Sequence, residues 1–286
     1  MSANKFPPTI RKTARLYFPF TGVICIAMKI FDLTQVIIPS YSSKNRADHQ
    51  MKAGIIGAME PEVAILKAKL VNCEESTHAG YTFYQGQIDN NDVVIVQSGI
   101  GKVAAALATL LLINEFSPDY IVNTGSAGGF DASLKVGDIV VSSAVRYHDV
   151  DVTAFGYEIG QLPGNPAAYM PHETLVTAAK AGIAQLENIK AMVGLITTGD
   201  TFMTKDDDIA KARANFPTMA AVEMEGAAIA HTCHQLNVPF VIIRSLSDIA
   251  GKESPTSFDE YLETASVNSS QLVINMLNAL KGETLG

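Results

Sequence analysis

Two carboxylates separated by a single residue, Glu223 and Glu225, follow a short apolar run and precede a helical segment rich in small residues. A buried carboxylate is costly unless it has a partner. The free amide groups and the dipole at the beginning of a helix favour negative charge, so both acids could simply cap that helix. The pair is a candidate for chemistry only if other elements bring further reactive groups to the same place.

The elements that would position these acids alternate along the chain from residue 52 onward. Continuous apolar runs alternating with helical segments are typical of one α/β domain with a central mixed β-sheet flanked by helices. The predicted strands span residues 52–56, 81–88, 92–97, 120–123, 139–142, 191–197 and 239–244, and one begins at Val222; the predicted helices span 60–70, 102–116, 174–186, 206–215 and 258–280.

Composition excludes several classes of function. The chain has 286 residues, 48% of them hydrophobic, which is enough for a sizeable core. Its net charge of -8 argues against nucleic-acid binding, which depends on Lys and Arg neutralising phosphates. The three cysteines have no metal-ligand spacing and predict a reducing compartment, the cytoplasm, without disulfides. The sequence contains no run of about 18 apolar residues, so we predict no membrane-spanning segment.

The first fifty residues differ in kind from the rest. Residues 1–15 are basic and residues 16–28 are apolar but interrupted by Pro19 and Gly22, which superficially matches a signal peptide. No small-residue cleavage site follows, however. We therefore expect residues 1–50 to be an N-terminal extension outside the fold, with translation naturally starting at Met51, and residues 51–286 to be the functional domain.

The predicted strand ends share a distinctive composition. In open α/β sheets, ligands bind beyond the carboxyl ends of the strands. Those ends combine glycine turns, several carboxylates, methionines and one phenylalanine, and they contain almost no cations. A phosphate would favour Arg, Lys or free helix amides. The lining better suits a neutral ligand with an apolar part and several hydroxyl groups.

Two glycine-rich turns resemble known loops only in part. Residues 98–102 (SGIGK) suggest a dinucleotide or phosphate loop, but Ala104 replaces the third glycine and no Ser or Thr follows Lys102. A plain turn from strand to helix is the better interpretation. Residues 125–128 (GSAG) place the serine one position too early for a nucleophile elbow, so backbone donors and a small-residue wall are expected there.

Two clusters of metal-ligating residue types also have simpler interpretations. His231, Cys233 and His234 lie on one predicted helix, but their spacing matches no zinc pattern. Asp149 and Asp151 lack the spacing of a calcium loop, so a structural or interface role is expected. We predict no metal site.

Six segments, in order along the chain, closely resemble the 5′-methylthioadenosine/S-adenosylhomocysteine nucleosidases, bacterial members of the nucleoside phosphorylase superfamily. The resemblance covers the chain from Met51 nearly to its C-terminus and none of residues 1–50. The segments are residues 54–62 (GIIGAMEPE), 98–105 (SGIGKVAA), 123–129 (NTGSAGG), 154–157 (AFGY), 221–225 (AVEME) and 247–248 (SD).

The resemblance implies hydrolysis of the N-glycosidic bond of 5′-methylthioadenosine, S-adenosylhomocysteine and also 5′-deoxyadenosine, in methionine salvage, without a cofactor. It implies that Asp248 is the general acid that protonates the departing adenine and that Glu62 is the base that activates water. Glu225 would hold the ribose hydroxyls, with Met224 against the sugar and Ser126 near the acid. The implied remaining contacts are Phe202 and Met203 at adenine, Gly128 in the binding wall, and Met59, Ile100 and Phe258 along the sugar and alkylthio side.

The resemblance also implies a homodimer, whose partner subunit would close each pocket. The loop that would reach across carries Val152, Phe155, Tyr157 and Pro163. The small-molecule nucleoside and a second copy of the chain are therefore the expected partners, with neither nucleic acid nor membrane.

The chemistry of the reaction agrees with this set of residues. Adenine leaves readily only when protonated, and the sugar passes through a cationic state, so an acid and a nearby anion are both needed. Burial or neighbouring carboxylates would help Asp248 to keep its proton. A phosphate dianion beside Glu60, Glu62 and Glu225 would be repelled, which favours water over phosphate.

Two alternatives remain open from the sequence. A phosphate-dependent nucleoside phosphorylase of the same superfamily would be indicated by Arg146, Arg213 or Arg244 lining the pocket. A nucleoside-binding protein without catalysis is disfavoured by the presence of both Glu62 and Asp248, because a binder needs neither acid nor base.

Overall fold

The computed structural model describes residues 50–250 and 254–285, and ten strands and six α-helices lie within them. Except for Gln50, the predicted extension of residues 1–50 lies outside the described residues. A 3₁₀ turn spans Thr153–Phe155. The strands are β1 (Lys52–Gly57), β2 (Val71–His78), β3 (Tyr81–Ile88), β4 (Asn91–Gln97), β5 (Tyr120–Asn123), β6 (Ser126–Gly129), β7 (Ile139–Tyr147), β8 (Ala191–Thr198), β9 (Met219–Glu223) and β10 (Phe240–Ile249); the helices are α1 (Glu60–Ala68), α2 (Lys102–Phe116), α3 (Glu173–Ile183), α4 (Asp206–Asn215), α5 (Gly226–Leu236) and α6 (Ser254–Ala279).

The strands form one mixed sheet in the order β2-β3-β4-β1-β5-β10-β6-β9-β8-β7. β10 is its organising strand, because its first residues pair with β5, its middle residues pair antiparallel with β7, and its last residues pair with β6. The strands β10, β6, β9, β8 and β7 therefore close into a ring, from which the other five extend. The predicted α/β fold with a central mixed sheet is confirmed.

Successive residues of the inner strands pack on opposite faces of the sheet. Ile55 and Ile95 pack in a core with α1, α3 and α6, whereas Ile56 and Val94 pack in a core with α2 and α5. All four side chains are buried. Because both faces of the sheet are covered, these strands are continuous apolar runs, as in most parallel sheets.

Two strands of the structure were not predicted, and β7 and β10 continue to Tyr147 and Ile249, beyond their predicted ends at residues 142 and 244. The strand β2 was not predicted, because its sequence (VNCEESTH) is mostly polar and mostly exposed at the edge of the sheet. This strand has no apolar face, and its hydrogen bonds to β3 hold it at the edge of the sheet. Residues 126–129 were expected to be a turn and instead form the buried strand β6, which pairs with β9 and β10.

None of the helices in the described part of the chain is both long enough and apolar enough to cross a membrane.

Candidate active site

A cavity of about 460 Å³ lies where the turns after β1, β4 and β8 meet β6, β10 and the junction of β9 with α5. Residues from widely separated parts of the sequence line it, at the carboxyl edge expected for ligand binding in such sheets. The predicted site residues that it brings together are Met59, Glu62, Ile100, Ser126, Gly128, Phe202, Met203, Met224, Glu225, Asp248 and Phe258.

Glu62 lies in the first turn of α1, and its buried carboxylate points back toward the turn after β1. Its oxygens accept hydrogen bonds from the amides of Ala58 at 2.7 Å and Met59 at 3.0 Å. The amide and the hydroxyl of Ser126 donate to it as well, each at 2.9 Å. Four donors on two oxygens fix the orientation of this carboxylate at the cavity wall.

Gly125 allows the chain to pass close to that carboxylate. A Cβ atom at this position would lie 2.7 Å from Oε1 of Glu62 and would also clash with Nη1 of Arg244. Only glycine leaves room for both groups, so the glycine turn between β5 and β6 brings Ser126 to Glu62.

Asp248 is buried near the end of β10, opposite Gly128 of β6. The pairing of β10 with β6 shifts register between Leu246 and Asp248, an irregularity that can re-aim a side chain. A Cβ atom at Gly128 would lie 3.2 Å from Oδ2 of Asp248, so the small residue gives the carboxyl group access to the cavity. The hydroxyl of Ser247 donates to Oδ1 of Asp248 at 3.1 Å.

Glu223 is the acid that caps a helix. Its Oε2 accepts hydrogen bonds from the amides of Glu225 at 2.9 Å and Gly226 at 2.7 Å, which begin α5. The hydroxyl of Thr198 and the guanidinium of Arg244 also donate to its carboxylate. The capping role considered for both acids thus applies to Glu223 and leaves Glu225 facing the cavity.

Arg244 lies fully buried behind the cavity, in the middle of the apolar strand β10. It donates to Oδ1 of Asn123 at 2.6 Å, pairs with Glu223, and lies 3.5 Å from Oε2 of Glu225. Burial lowers the pKa of the guanidinium, but the carboxylates of Glu223, Glu225 and Glu62 outweigh burial and raise it. The charge of Arg244 is therefore committed to the acids of the site.

The surroundings of Glu225 raise the pKa of its carboxyl group. Burial, followed by the charge of Glu223, raises the pKa of Glu225 to about 7, although Arg244 and the amide of Gly101 oppose the shift. That amide donates to Oε1 of Glu225 at 2.9 Å. The carboxyl group therefore titrates in the neutral range.

Several predicted residues lie elsewhere. Val152, Phe155, Tyr157 and Pro163 do not line the cavity of their own chain. Glu60 does not line it either: its carboxylate is exposed and pairs with Nζ of Lys67 at 3.1 Å. The expectation that Glu60 adds negative charge to the pocket was therefore wrong.

The arginines named as a sign of phosphate binding are also accounted for. Arg146 donates to Glu158 and to the carbonyl of Ile159, and Arg213 donates to the carbonyl of Phe130. Neither these two arginines nor the buried Arg244 lines the cavity. No lysine or arginine is among the described residues that line it. Sequence reasoning missed that Arg244 supports Glu223 and Glu225. Its position inside an apolar strand could have indicated this role, because a buried arginine requires buried acidic partners.

Comparison with known proteins identifies the family. A sequence model described as the phosphorylase superfamily matches residues 52–278. A 5′-methylthioadenosine/S-adenosylhomocysteine nucleosidase of Colwellia psychrerythraea is 78% identical over 240 residues, which cover 82% of this chain and 99% of that protein.

Solved structures agree with the sequence comparison. The crystal structure of the Colwellia psychrerythraea nucleosidase in complex with adenine has a TM-score of 0.82 and covers 83% of this chain and 99% of that chain. The nucleosidase of Neisseria meningitidis in complex with methylthio-immucillin-A is 44% identical, has a TM-score of 0.79, and covers 80% of this chain and 100% of that chain. The chain belongs to the phosphorylase superfamily and, within it, to the 5′-methylthioadenosine/S-adenosylhomocysteine nucleosidases.

Proposed function

We propose that this chain hydrolyses the N-glycosidic bond of 5′-methylthioadenosine and S-adenosylhomocysteine, releasing adenine and the thio-substituted ribose. This reaction fits methionine salvage and the recycling of products of S-adenosylmethionine. The observation that carries the proposal is the cavity itself, in which Glu62, Glu225 and Asp248 meet apolar side chains without a lysine or arginine among the described lining residues.

Asp248 is the general acid in this proposal. Protonation turns adenine into a good leaving group, and a buried carboxyl group that reaches the cavity past Gly128 is suited to deliver the proton. Phe202, which is 42% exposed in the single chain, supplies a ring on which adenine can stack. The chain beside Met203 would read the edge of the base.

Glu62 is the general base. Of its four hydrogen-bond donors, three are backbone amides fixed by α1 and β6, and only the hydroxyl of Ser126 can rotate. We infer that this hydroxyl turns away when Glu62 accepts a proton from the attacking water, because all of the carboxylate's in-plane positions are otherwise occupied. Glu225 and Met224 hold the ribose, with Met59, Ile100 and Phe258 beside the alkylthio group.

Water is the nucleophile because the site repels phosphate. Glu62, Glu223 and Glu225 line the cavity together with Asp248, which is protonated and neutral in this proposal, and the single charge of Arg244 is committed to Glu223 and Glu225. A dianion placed there would face uncompensated negative charge in a poorly screened environment. The phosphorylase alternative is therefore disfavoured even though Glu60 lies outside the cavity.

The test is adenine release from 5′-methylthioadenosine and S-adenosylhomocysteine. Asp248→Asn and Glu62→Gln should each lower turnover by at least about a hundredfold, the scale of general acid or base catalysis, while adenine still binds. Glu60→Gln is the matched control for Glu62, because Glu60 lies outside the cavity, and it should retain full turnover. Near-normal turnover by Asp248→Asn would remove the assigned acid, and no release by the native chain would support a nucleoside-binding protein instead.

We further propose that the chain works as a homodimer. Exposed apolar side chains at Val103, Leu107 and Leu110 recur along one face of α2, and Phe155 is 80% exposed. Pairing of two such faces would bury them and bring the loop with Val152, Phe155, Tyr157 and Pro163 to the partner's cavity.

The dimer is tested by sedimentation. Leu107→Glu should yield monomers with weakened turnover, whereas Val267→Glu, at an exposed apolar position on α6, should leave the dimer intact. A native chain that sediments as a fully active monomer would contradict this proposal.

A further inference from the structure

Lys102, Asp149 and Asp200 form a cluster that the proposed chemistry does not use, next in sequence to the cavity-lining residues of two turns. Nζ of Lys102 lies 2.6 Å from Oδ2 of Asp149 and 3.7 Å from Oδ2 of Asp200. The amide of Lys102 donates to Oδ1 of Asp200 at 2.9 Å, and the amide of Asp200 donates to Oδ2 of Asp149 at 3.0 Å. Each member is therefore bonded to both others.

The Lys102 cluster joins three segments at the same edge of the sheet. Lys102 begins α2 directly after the turn that follows β4, Asp149 follows β7, and Asp200 follows β8. These segments are far apart in the sequence and meet only through the fold. Nζ of Lys102 also lies 5.5 Å from the centre of the Tyr147 ring, which further restricts the side chain.

Two of these segments carry residues that line the cavity. Ile100 precedes Lys102 by two positions, and Phe202 follows Asp200 by two positions. Their side chains are 58% and 42% exposed, so core packing does not fix them. Their positions depend on how firmly the two turns are held.

The cluster also bears on the group that would hold ribose. Gly101 lies between Ile100 and Lys102, and its amide donates to Oε1 of Glu225. Its backbone has φ of 95°, and a Cβ atom there would lie 3.1 Å from Oδ1 of Asp200, so the turn packs closely on the aspartate. A shift of the Lys102 turn away from Asp200 would move the Gly101 amide away from Glu225.

We propose that Lys102 is a positioning residue that ties the turns bearing Ile100 and Phe202 together through Asp149 and Asp200, and thereby sets the affinity for the nucleoside. This inference rests on the proposed function for its substrate. The lysine does not touch the reacting bond, so the chemical step should not depend on it. Asp149 and Asp200 are partly exposed, so added salt screens and weakens their ion pairs with Lys102.

The test compares three variants with 5′-methylthioadenosine as substrate. Lys102→Met should raise KM about fivefold, the scale of one partly exposed ion pair, with kcat nearly unchanged. Lys102→Arg keeps the charge and should restore most of the affinity. Lys52→Met is the matched control, because Nζ of Lys52 donates to the carbonyl of Phe116 at the opposite end of the same helix; its KM should equal the native value.

Two further readouts separate positioning from a general structural role. The KM of the native chain should rise with sodium chloride, whereas that of Lys102→Met should be nearly insensitive. Hydrogen–deuterium exchange, which needs no turnover, should become faster at residues 99–101 and 200–203 in Lys102→Met alone.

An unchanged KM and unchanged exchange in Lys102→Met would overturn the proposal. A loss confined to kcat, or a Lys102→Arg variant as impaired as Lys102→Met, would overturn it too. Absence of turnover by the native chain would instead refute the proposed function and leave the exchange experiment to decide the role of Lys102.

Discussion

The buried carboxyl group of Glu225 makes a definite prediction about stability and pH. In the folded chain, burial and Glu223 raise its pKa to about 7 from its ordinary value of 4.5. A proton that the unfolded chain releases near pH 4.5 is therefore retained by the folded chain until about pH 7. Because the folded state binds more protons in this window, the free energy of unfolding must fall as pH rises through it.

The size of the effect follows from the shift. At about 1.4 kcal/mol per pKa unit, the rise from 4.5 to about 7 corresponds to about 3 kcal/mol. This contribution is fully present below pH 4.5 and is lost above pH 7. Glu225→Gln removes the titrating group but keeps a side chain of similar shape, so its stability should fall less over the same interval.

The assay is urea unfolding of native chain and variant at fixed protein concentration, at several pH values from 4.5 to 7.5. The difference between the two free energies of unfolding should change by about 3 kcal/mol across the series. Glu74→Gln, at an exposed position on β2, serves as the control and should parallel the native curve. Parallel curves for native chain and Glu225→Gln would refute the reasoning.

Two further substitutions probe the groups behind the cavity. Arg244→Met should destabilise the chain by about 3–5 kcal/mol in urea unfolding, because it leaves the buried carboxylate of Glu223 without its charged partner. Adding Glu223→Gln to this variant should recover much of the lost stability. An unchanged free energy of unfolding in Arg244→Met would contradict the role of the pair. Gly125→Ala should abolish adenine release, because its Cβ would displace the Glu62 carboxylate. Gly80→Ala is the control, because Gly80 also has a positive φ, 86°, but lies in open space. It should lose only about 1 kcal/mol of stability and no activity.

The sequence predicts best those elements whose local pattern agrees with their final burial. The helix α2 and the strand β5 have the predicted bounds, 102–116 and 120–123, because each is an uninterrupted apolar segment ended by a polar or proline-containing turn. The strand β2 could not be predicted in this way. Its polar residues form a strand because β3 offers a free edge, which is a property of the tertiary structure.

The same distinction applies to the site. The family resemblance placed eleven residues that the structure brings to one cavity, since they lie in turns or near strand and helix ends whose positions the fold dictates. It did not reveal that Glu223 caps α5 or that Arg244 pairs with Glu223 and lies near Glu225. Those pairings depend on the closure of β10 against β6 and β7, which no local pattern encodes.

Attack of water on the sugar is best tested by a single turnover of 5′-methylthioadenosine in oxygen-18-labelled water, with and without phosphate. We predict that the released sugar carries the heavy oxygen at its anomeric carbon and that adenine forms at the same rate in both buffers. A sugar 1-phosphate that lacks the label, formed only when phosphate is present, would contradict hydrolysis and the role assigned to Glu62.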